Sequence, residues 1–166
     1  MNTETLSREA AIQKLKELAE SIDFNMMATG LNEKPFHAIP MSTKKVDEEG
    51  YIWFLSGADS EHNADILRDS NLMLLYSKPS DMTFLKVYGE AFITSEKSIL
   101  EDLYSKMDDL WFDGLSDPNL TAIKVRPIEA HYWEPKHNKF ISFLKMGIAT
   151  LTGNEPQITS SGSLTI

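Results

Sequence analysis

Pro40-Met41-Ser42-Thr43-Lys44-Lys45-Val46-Asp47-Glu48-Glu49-Gly50-Tyr51-Ile52-Trp53-Phe54-Leu55-Ser56 is the stretch on which the fold turns. Residues 36–46 and 51–55 are rich in strand formers, and Asp47-Glu48-Glu49-Gly50 between them is charged and ends in glycine. Such side chains fit a pleated, half-buried surface, and a short polar connection returns the chain beside itself, so an antiparallel hairpin is predicted. Upstream, residues 24–31 form a further predicted strand, joined to 36–46 through Asn32-Glu33-Lys34-Pro35. Downstream, strands are predicted over 72–76 and 84–94, with Lys78-Pro79-Ser80-Asp81 as their turn, and over 120–125 and 128–133.

Helical spacing marks residues 6–22, where Leu6, Ala10, Ala11, Leu15, Leu18, Ala19 and Ile22 share a face. A short helix can start at Asp59 or Ser60, either of which can cap it, and run through Ile66 and Leu67. A second amphipathic helix is predicted from Ser95 with Ile99, Leu100, Leu103, Met107 and Leu110 as its apolar face. A last helix is predicted over 140–150, and the Ser/Thr/Gly-rich stretch 153–166 reads as flexible unless Leu164 and Ile166 dock. Many short strands with tight turns, interrupted by helices at separate places, predict a mainly β protein, an antiparallel barrel or α+β domain. The length of 166 residues suits one domain, residues 1–150 with a helix at each end, followed by a polar tail over 151–166.

Hydrophobic residues at 42% and charged residues at 25% describe a globular chain rather than a disordered one. The balance of 16 Lys+Arg against 25 Asp+Glu, a formal charge of −9, repels phosphate backbones and anionic lipid, so neither nucleic acid nor membrane is an expected partner. Met1-Asn2-Thr3-Glu4-Thr5 carries no basic and apolar blocks, and no uncharged apolar run approaches the ~20 residues of a span. A cytoplasmic location is expected. The absence of cysteine excludes disulfides, thiolate nucleophiles and cysteine-held metal, so redox chemistry would need a bound cofactor.

His37, His62, His131 and His137 show no metal-binding spacing and read as surface or satisfied histidines. No Gly-x-Ser-x-Gly elbow occurs, and Gly57 and Gly89 are too isolated for a phosphate-binding fingerprint, which removes support for hydrolases and NTPases. Asp47-Glu48-Glu49 and Asp108-Asp109 read as solvated charge. No catalytic side chain and no metal ligand is predicted. Ser56-Gly57-Ala58-Asp59-Ser60 has two readings: free amides at a helix start that suit a phosphate, or a plain strand-to-helix connection with a serine cap. Trp111-Phe112 likewise either covers a ligand or subunit interface, or packs against the sheet.

Read in order, several blocks resemble the general stress protein branch of the pyridoxamine-phosphate-oxidase-like flavoproteins. They are Pro40-Met41-Ser42-Thr43, the acidic turn before Ile52-Trp53-Phe54, Ser56 to Ser60 with His62, Trp111-Phe112, Asp117-Pro118-Asn119-Leu120, His131-Tyr132-Trp133 and Leu151-Thr152-Gly153. The resemblance implies a six-stranded antiparallel split β-barrel, a homodimer, and FMN as cofactor at two equivalent interface sites. Carried over, Pro40, Met41, Ser42 and Thr43 would line the flavin, and Phe54, Leu55, Ser56, Gly57 and Ser60 would surround the ribityl chain and phosphate. Trp111 of the partner subunit would lie near the ring.

Two cofactor positions depart from the family pattern: its arginine before Pro-Met is Ile39 here, and its phosphate-loop lysine is His62. Ile39→Arg would then tighten FMN, protonated His62 would hold the phosphate better at pH 6 than at pH 8, and Lys44 or Lys45 is placed to compensate. The implied activity is a flavin-dependent oxidoreductase, with NAD(P)H as a possible electron donor. Two alternatives stand beside it: a non-catalytic flavin-binding or flavin-buffering stress protein, and a dimeric barrel that has lost FMN. Vitamin B6 oxidation is not expected, since Arg8, Arg68 and Arg126 all precede the end of the last predicted strand and none supplies the closing arginine motif of true pyridoxamine-phosphate oxidases.

Overall fold

A computed structural model describes residues 3–5, 7–22, 24–135 and 159–164. The quoted hairpin forms as predicted, but its first arm bends: β3 (His37–Met41) and β4 (Lys45–Val46) are separate segments, and β5 (Ile52–Gly57) returns beside β4. The acidic turn is ordered from within. Asp47 Oδ1 accepts the Glu49 and Tyr51 amides at 3.0 and 2.9 Å, its Oδ2 accepts Trp53 Nε1 at 2.8 Å, and Gly50 closes the turn at φ +89°. Asp47 is thus the organiser of the turn and not merely solvated charge.

Around this hairpin runs a curled antiparallel sheet. β2 (Asn25–Thr29) lies between β3 and β6 (Asn71–Lys78), β6 pairs with β7 (Thr83–Thr94), and β7 pairs with the long β8 (Leu120–Pro135). The first half of β8 also pairs with β5, and β5 with β4, which brings the sheet round toward β3 without pairing to it. Its second half pairs with β9 (Thr159–Leu164), to which the short β1 (Thr3–Thr5) adds in parallel. Six strands is therefore an undercount, because β9 and β1 extend the sheet beyond the barrel circuit. Leu164 docks at 2% exposure, whereas the expected helix at 140–150, Leu151-Thr152-Gly153, His137 and Ile166 lie outside the described residues.

Helix α1 (Arg8–Ser21), capped by Ser7, buries Ala11, Leu15, Leu18 and Ala19 in the same core as Met27, Phe54, Leu74, Tyr76, Val87 and Ile123. Helix α2 (Glu61–Arg68) follows β5, and Ser60 is its cap, accepting the Asn63 amide at 3.3 Å. Helix α3 (Lys97–Leu103) covers the outer side of β5 and β8 through Leu100, Leu103, Trp53, Leu120 and Ala122. The predicted helix through Leu110 breaks at Tyr104, whose backbone is extended, and a 3-10 turn (Lys106–Leu110) restarts behind a Ser105/Asp108 capping box. A local cap has won over apolar spacing there: Met107 and Leu110 are 77% and 80% exposed.

The two predicted strands at 120–125 and 128–133 are one strand. The register slips beside Gly89, opposite Pro127, so Pro127 sits at a bulge where its missing amide is tolerated. A side chain at Gly89 would collide with the Arg126 carbonyl, which explains the glycine. Among the described residues no helix is long and apolar enough to cross a membrane.

Candidate functional site

The barrel circuit is incomplete where the bend of the first hairpin arm leaves it. The Lys44 amide still donates to the Trp53 carbonyl at 2.8 Å, but beyond that bridge β3 follows β2 while β5 follows β8. Among the described residues the facing edges of β3 and β5 have no strand partner, and Ile39 to Thr43 and Phe54 to Ser60 lie on the two sides of this split. Helix α2 crosses the opening from the end of β5 to the β2–β3 end, where Asp65 meets Thr29 and His37.

The structure distinguishes among the predicted residues on these edges. Pro40 and Ser42 are exposed, whereas Ile39 and Met41 pack against the core, consistent with alternation along a strand. Ile39 lies opposite fully buried Met27, so its side chain faces inward and an arginine there would enter the core rather than reach a phosphate. Thr43 Oγ1 shares a 2.8 Å hydrogen bond with the Tyr76 hydroxyl, whose burial pushes its pKa above the ordinary tyrosine range. Phe54 is completely buried, and Leu55 packs into the cluster under α3. Ser56, 3% exposed, is tied to Thr121 at 2.8 Å. The Phe54 and Ser56 side chains are therefore closed to a surface ligand, whereas Leu55 is only partly buried.

The Ser56–Ser60 loop is largely self-satisfied. The Ala58 and Asp59 amides donate to the Asn119 carbonyl and Oδ1 at 2.7 and 3.0 Å, and the Ser60 amide donates to the Gly57 carbonyl at 3.1 Å. Ser60 Oγ donates to the same carbonyl at 2.7 Å. Asn119 packs so closely that a side chain at Gly57 would meet it at 3.1 Å. The Glu61 and His62 amides, first in α2, have no partner among the described residues and are the donors left for an anion.

Positive charge near the split is already committed. Lys44 Nζ bonds Asp108 Oδ2 at 2.7 Å, and Lys45 pairs with Asp102, so neither is a free cation. His62 Nε2 lies 3.1 Å from Ser60 Oγ; burial pulls its pKa below the ordinary value and outweighs the opposing field of Asp65, so the ring is neutral near pH 7. Burial thus works against the phosphate-holding imidazolium expected from the sequence. The exposed parts of the split, Pro40 and Ser42 with the outward Met26 and Leu75 beside them, suit a flat, partly apolar ring. The anion end offers two amides and the Ser60–His62 pair.

Trp111 is 80% exposed and does not pack against the sheet, whereas Phe112 is half-buried in the cluster under α3. Trp111 ends the 3-10 turn, which the Lys44–Asp108 contact holds against the bend of the first hairpin arm.

One cluster escaped sequence reading. Asp65, 1% exposed, accepts from Thr29 Oγ1 at 2.8 Å, from His37 Nδ1 at 2.7 Å and from Arg68. Burial pushes its carboxyl up, but the bonds from His37, Thr29 and Arg68 prevail and hold it below the ordinary range. Its hydrogen bond and charge in turn raise His37. Gly30, at φ +62°, passes next to this carboxylate, where an added Cβ would meet Asp65 at 3.5 Å. His37 and Asp65 are 28 positions apart and belong to no motif, so no sequence signal joined them.

The curled split sheet with flanking helices defines the chain as a split β-barrel. Residues 10–157 match the family described as "Pyridoxamine 5'-phosphate oxidase like", and the chain belongs to that family. No curated protein sequence matches it. Among solved structures, a protein from Jannaschia sp. CCS1, provisionally assigned as general stress protein 26, superposes with a TM-score of 0.72 at 17% identity, covering 96% of this chain and 100% of that one. General stress protein 26 from Bacillus anthracis str. Sterne gives 0.64 at 21% identity, over 73% and 92% of the two chains. The general stress FMN/FAD binding protein of Xanthomonas citri gives 0.64 at 21%, over 77% and 90%.

Proposed function

We propose that the chain is a cytoplasmic flavin-nucleotide-binding protein of general stress type, a homodimer that holds FMN at the split and uses it in an oxidoreductase reaction with NAD(P)H as donor. The observation that carries this reading is the split itself: the two segments the resemblance assigns to the flavin, Ile39 to Thr43 and Phe54 to Ser60, line its opposite edges. Membership over residues 10–157 and the likeness to a flavin-binding stress protein support it.

In this reading bound FMN supplies the electron transfer, and the chain supplies position and environment. Pro40, Met41, Ser42 and Thr43 hold the ring edge through backbone and outward side chains, with Ile39 beneath them as core support. The backbone of Phe54, Leu55, Ser56 and Gly57 faces the ribityl chain, and the Glu61 and His62 amides with Ser60 take the phosphate. Exposed Trp111 covers the ring bound to the partner, which makes each site depend on two chains.

One observation favours the non-catalytic, flavin-buffering alternative: among the described residues Lys44 and Lys45 are both paired, and most of the amides of the Ser56–Ser60 loop are internally bonded. Fluorescence titration with FMN and NAD(P)H oxidation by the loaded protein test both. Uptake of one FMN per chain with turnover supports the oxidoreductase reading, uptake without turnover supports buffering, and a monomer that takes no FMN overturns both.

A further inference from the structure

The strongest unexplained contact near the split is the one that removes Lys44 from the anion end. Lys44 and Asp108 meet at 2.7 Å with their side chains only 18% and 15% exposed, in a molecule whose other lysine pairs are mostly more open. Asp108 is also the centre of the segment that follows. Its Oδ2 accepts the Ser105 amide and hydroxyl at 2.7 and 2.8 Å, and its carbonyl accepts the Trp111 and Phe112 amides at 2.9 and 3.0 Å. Lys44 Nζ adds a bond to Ser105 Oγ at 3.3 Å. Burial alone would push the Asp108 carboxyl up, but Lys44 and Ser105 hold it below the ordinary range, so it stays charged in the folded chain.

One end of this contact therefore fixes the turn that presents Met107, Leu110 and Trp111, three side chains 77–80% exposed. The other end belongs to the bend that follows Pro40 to Thr43. We propose that Lys44 and Asp108 are positioning residues for the flavin site: their buried contact locks the Trp111 turn to the β3–β4 bend and sets where Trp111 is offered to a second copy of the chain. This inference rests on the flavin reading above, and it gives Lys44 a role through Trp111 rather than as a partner of phosphate.

The roles separate in a double-mutant cycle. Lys44→Met keeps the stem but removes the charge, leaving the Ser105/Asp108 cap intact, and Lys44→Arg restores a cation. FMN affinity is measured by flavin fluorescence for wild type, Lys44→Met, Lys44→Arg, Trp111→Ala and Lys44→Met/Trp111→Ala. Amide hydrogen exchange of residues 105–112 is followed in parallel on flavin-free protein. Losing one charge-assisted contact is expected to weaken FMN about ten-fold in Lys44→Met. No further loss is expected when Trp111 is already alanine, Lys44→Arg should recover most of the affinity, and the Trp111 and Phe112 amides should exchange faster only in Lys44→Met.

An equal loss in both backgrounds would mean Lys44 acts on the ligand directly, and unchanged affinity or exchange in Lys44→Met would mean the contact positions nothing; either overturns the inference while wild-type binding keeps the flavin reading intact. If wild type binds no FMN, the flavin reading and the inference both fall.

Discussion

Replacing Asp65 with alanine tests the least anticipated part of the molecule. The carboxylate is 1% exposed, and Thr29, whose hydroxyl it accepts at 2.8 Å, is equally enclosed, so truncation leaves a buried hydroxyl with no partner. That costs about 1–3 kcal/mol, and the small void left behind adds about 1 kcal/mol. Arg68 adds little to this sum, because its outer face is open and water replaces the lost acceptor, and the exposed His37 contact enters only as the pH-dependent part followed below. Removing a buried charge also recovers some desolvation, which places the loss below the roughly 3–5 kcal/mol of breaking a fully buried ion pair. The expected loss is about 2 kcal/mol, read from urea unfolding followed by circular dichroism at pH 6. Asp65→Asn, which keeps an acceptor for Thr29, should lose less than half as much.

The pH dependence gives a second arm. His37 is raised by Asp65, so its contribution is full below its unfolded pKa of about 6.5 and is lost as pH rises through the folded value. Asp65 is lowered, so its contribution is full above about pH 4 and is lost in acid. Wild type should therefore lose stability from pH 6 to pH 8.5 by an amount that disappears in Asp65→Ala. A loss under about 0.5 kcal/mol at pH 6, or the same pH slope in both proteins, would refute the reasoning.

Ile39→Arg should lower stability by about 1–3 kcal/mol in thermal unfolding, because the side chain faces fully buried Met27; tighter FMN binding at undiminished stability would show that the strand faces the other way. Trp111→Ala should leave unfolding free energy within about 0.5 kcal/mol, since the ring is 80% exposed, while FMN affinity measured by fluorescence falls by about ten-fold or more. The ratio of FMN affinities at pH 6 and pH 8 should differ little between wild type and His62→Ala, because burial disfavours the charged imidazole. A ratio that drops on mutation would restore the charged histidine.

The parts of the fold that the sequence made legible are those set by local chemistry. The acidic turn with Gly50, the Ser60 cap and the alternating strands through β7 follow from short-range rules, and they lie where those rules put them. Long-range pairing decided the rest. Thr159 to Leu164 reads as a flexible serine-rich stretch, yet β8 offers an edge and the segment becomes a strand. Residues 120–125 and 128–133 read as two strands, but a bulge across from Gly89 absorbs Pro127 and makes them one. Met107 and Leu110 keep helical spacing and still face outward, because Ser105 and Asp108 end one helix and begin a tighter turn. At the site, the flanking segments could be named from the sequence. The inward direction of Ile39, the commitment of Lys44 to Asp108 and the enclosure of His62 arise only from the way separate strands and turns meet.

The last strand carries its own constraint on sequence drift. Gly162 lies across from Tyr132, and a methyl group at that position would overlap the phenol ring. The usual tolerance of a serine- and glycine-rich segment is therefore inverted at one point: neighbouring Ser161 and Ser163 are half-open and can vary, but any side chain at 162 must displace the buried Tyr132 ring. A bulkier residue would pry β9 from β8, and β1, which among the described residues pairs with β9 alone, would come away with it. A single glycine near one end of the chain thus governs whether the other end is held.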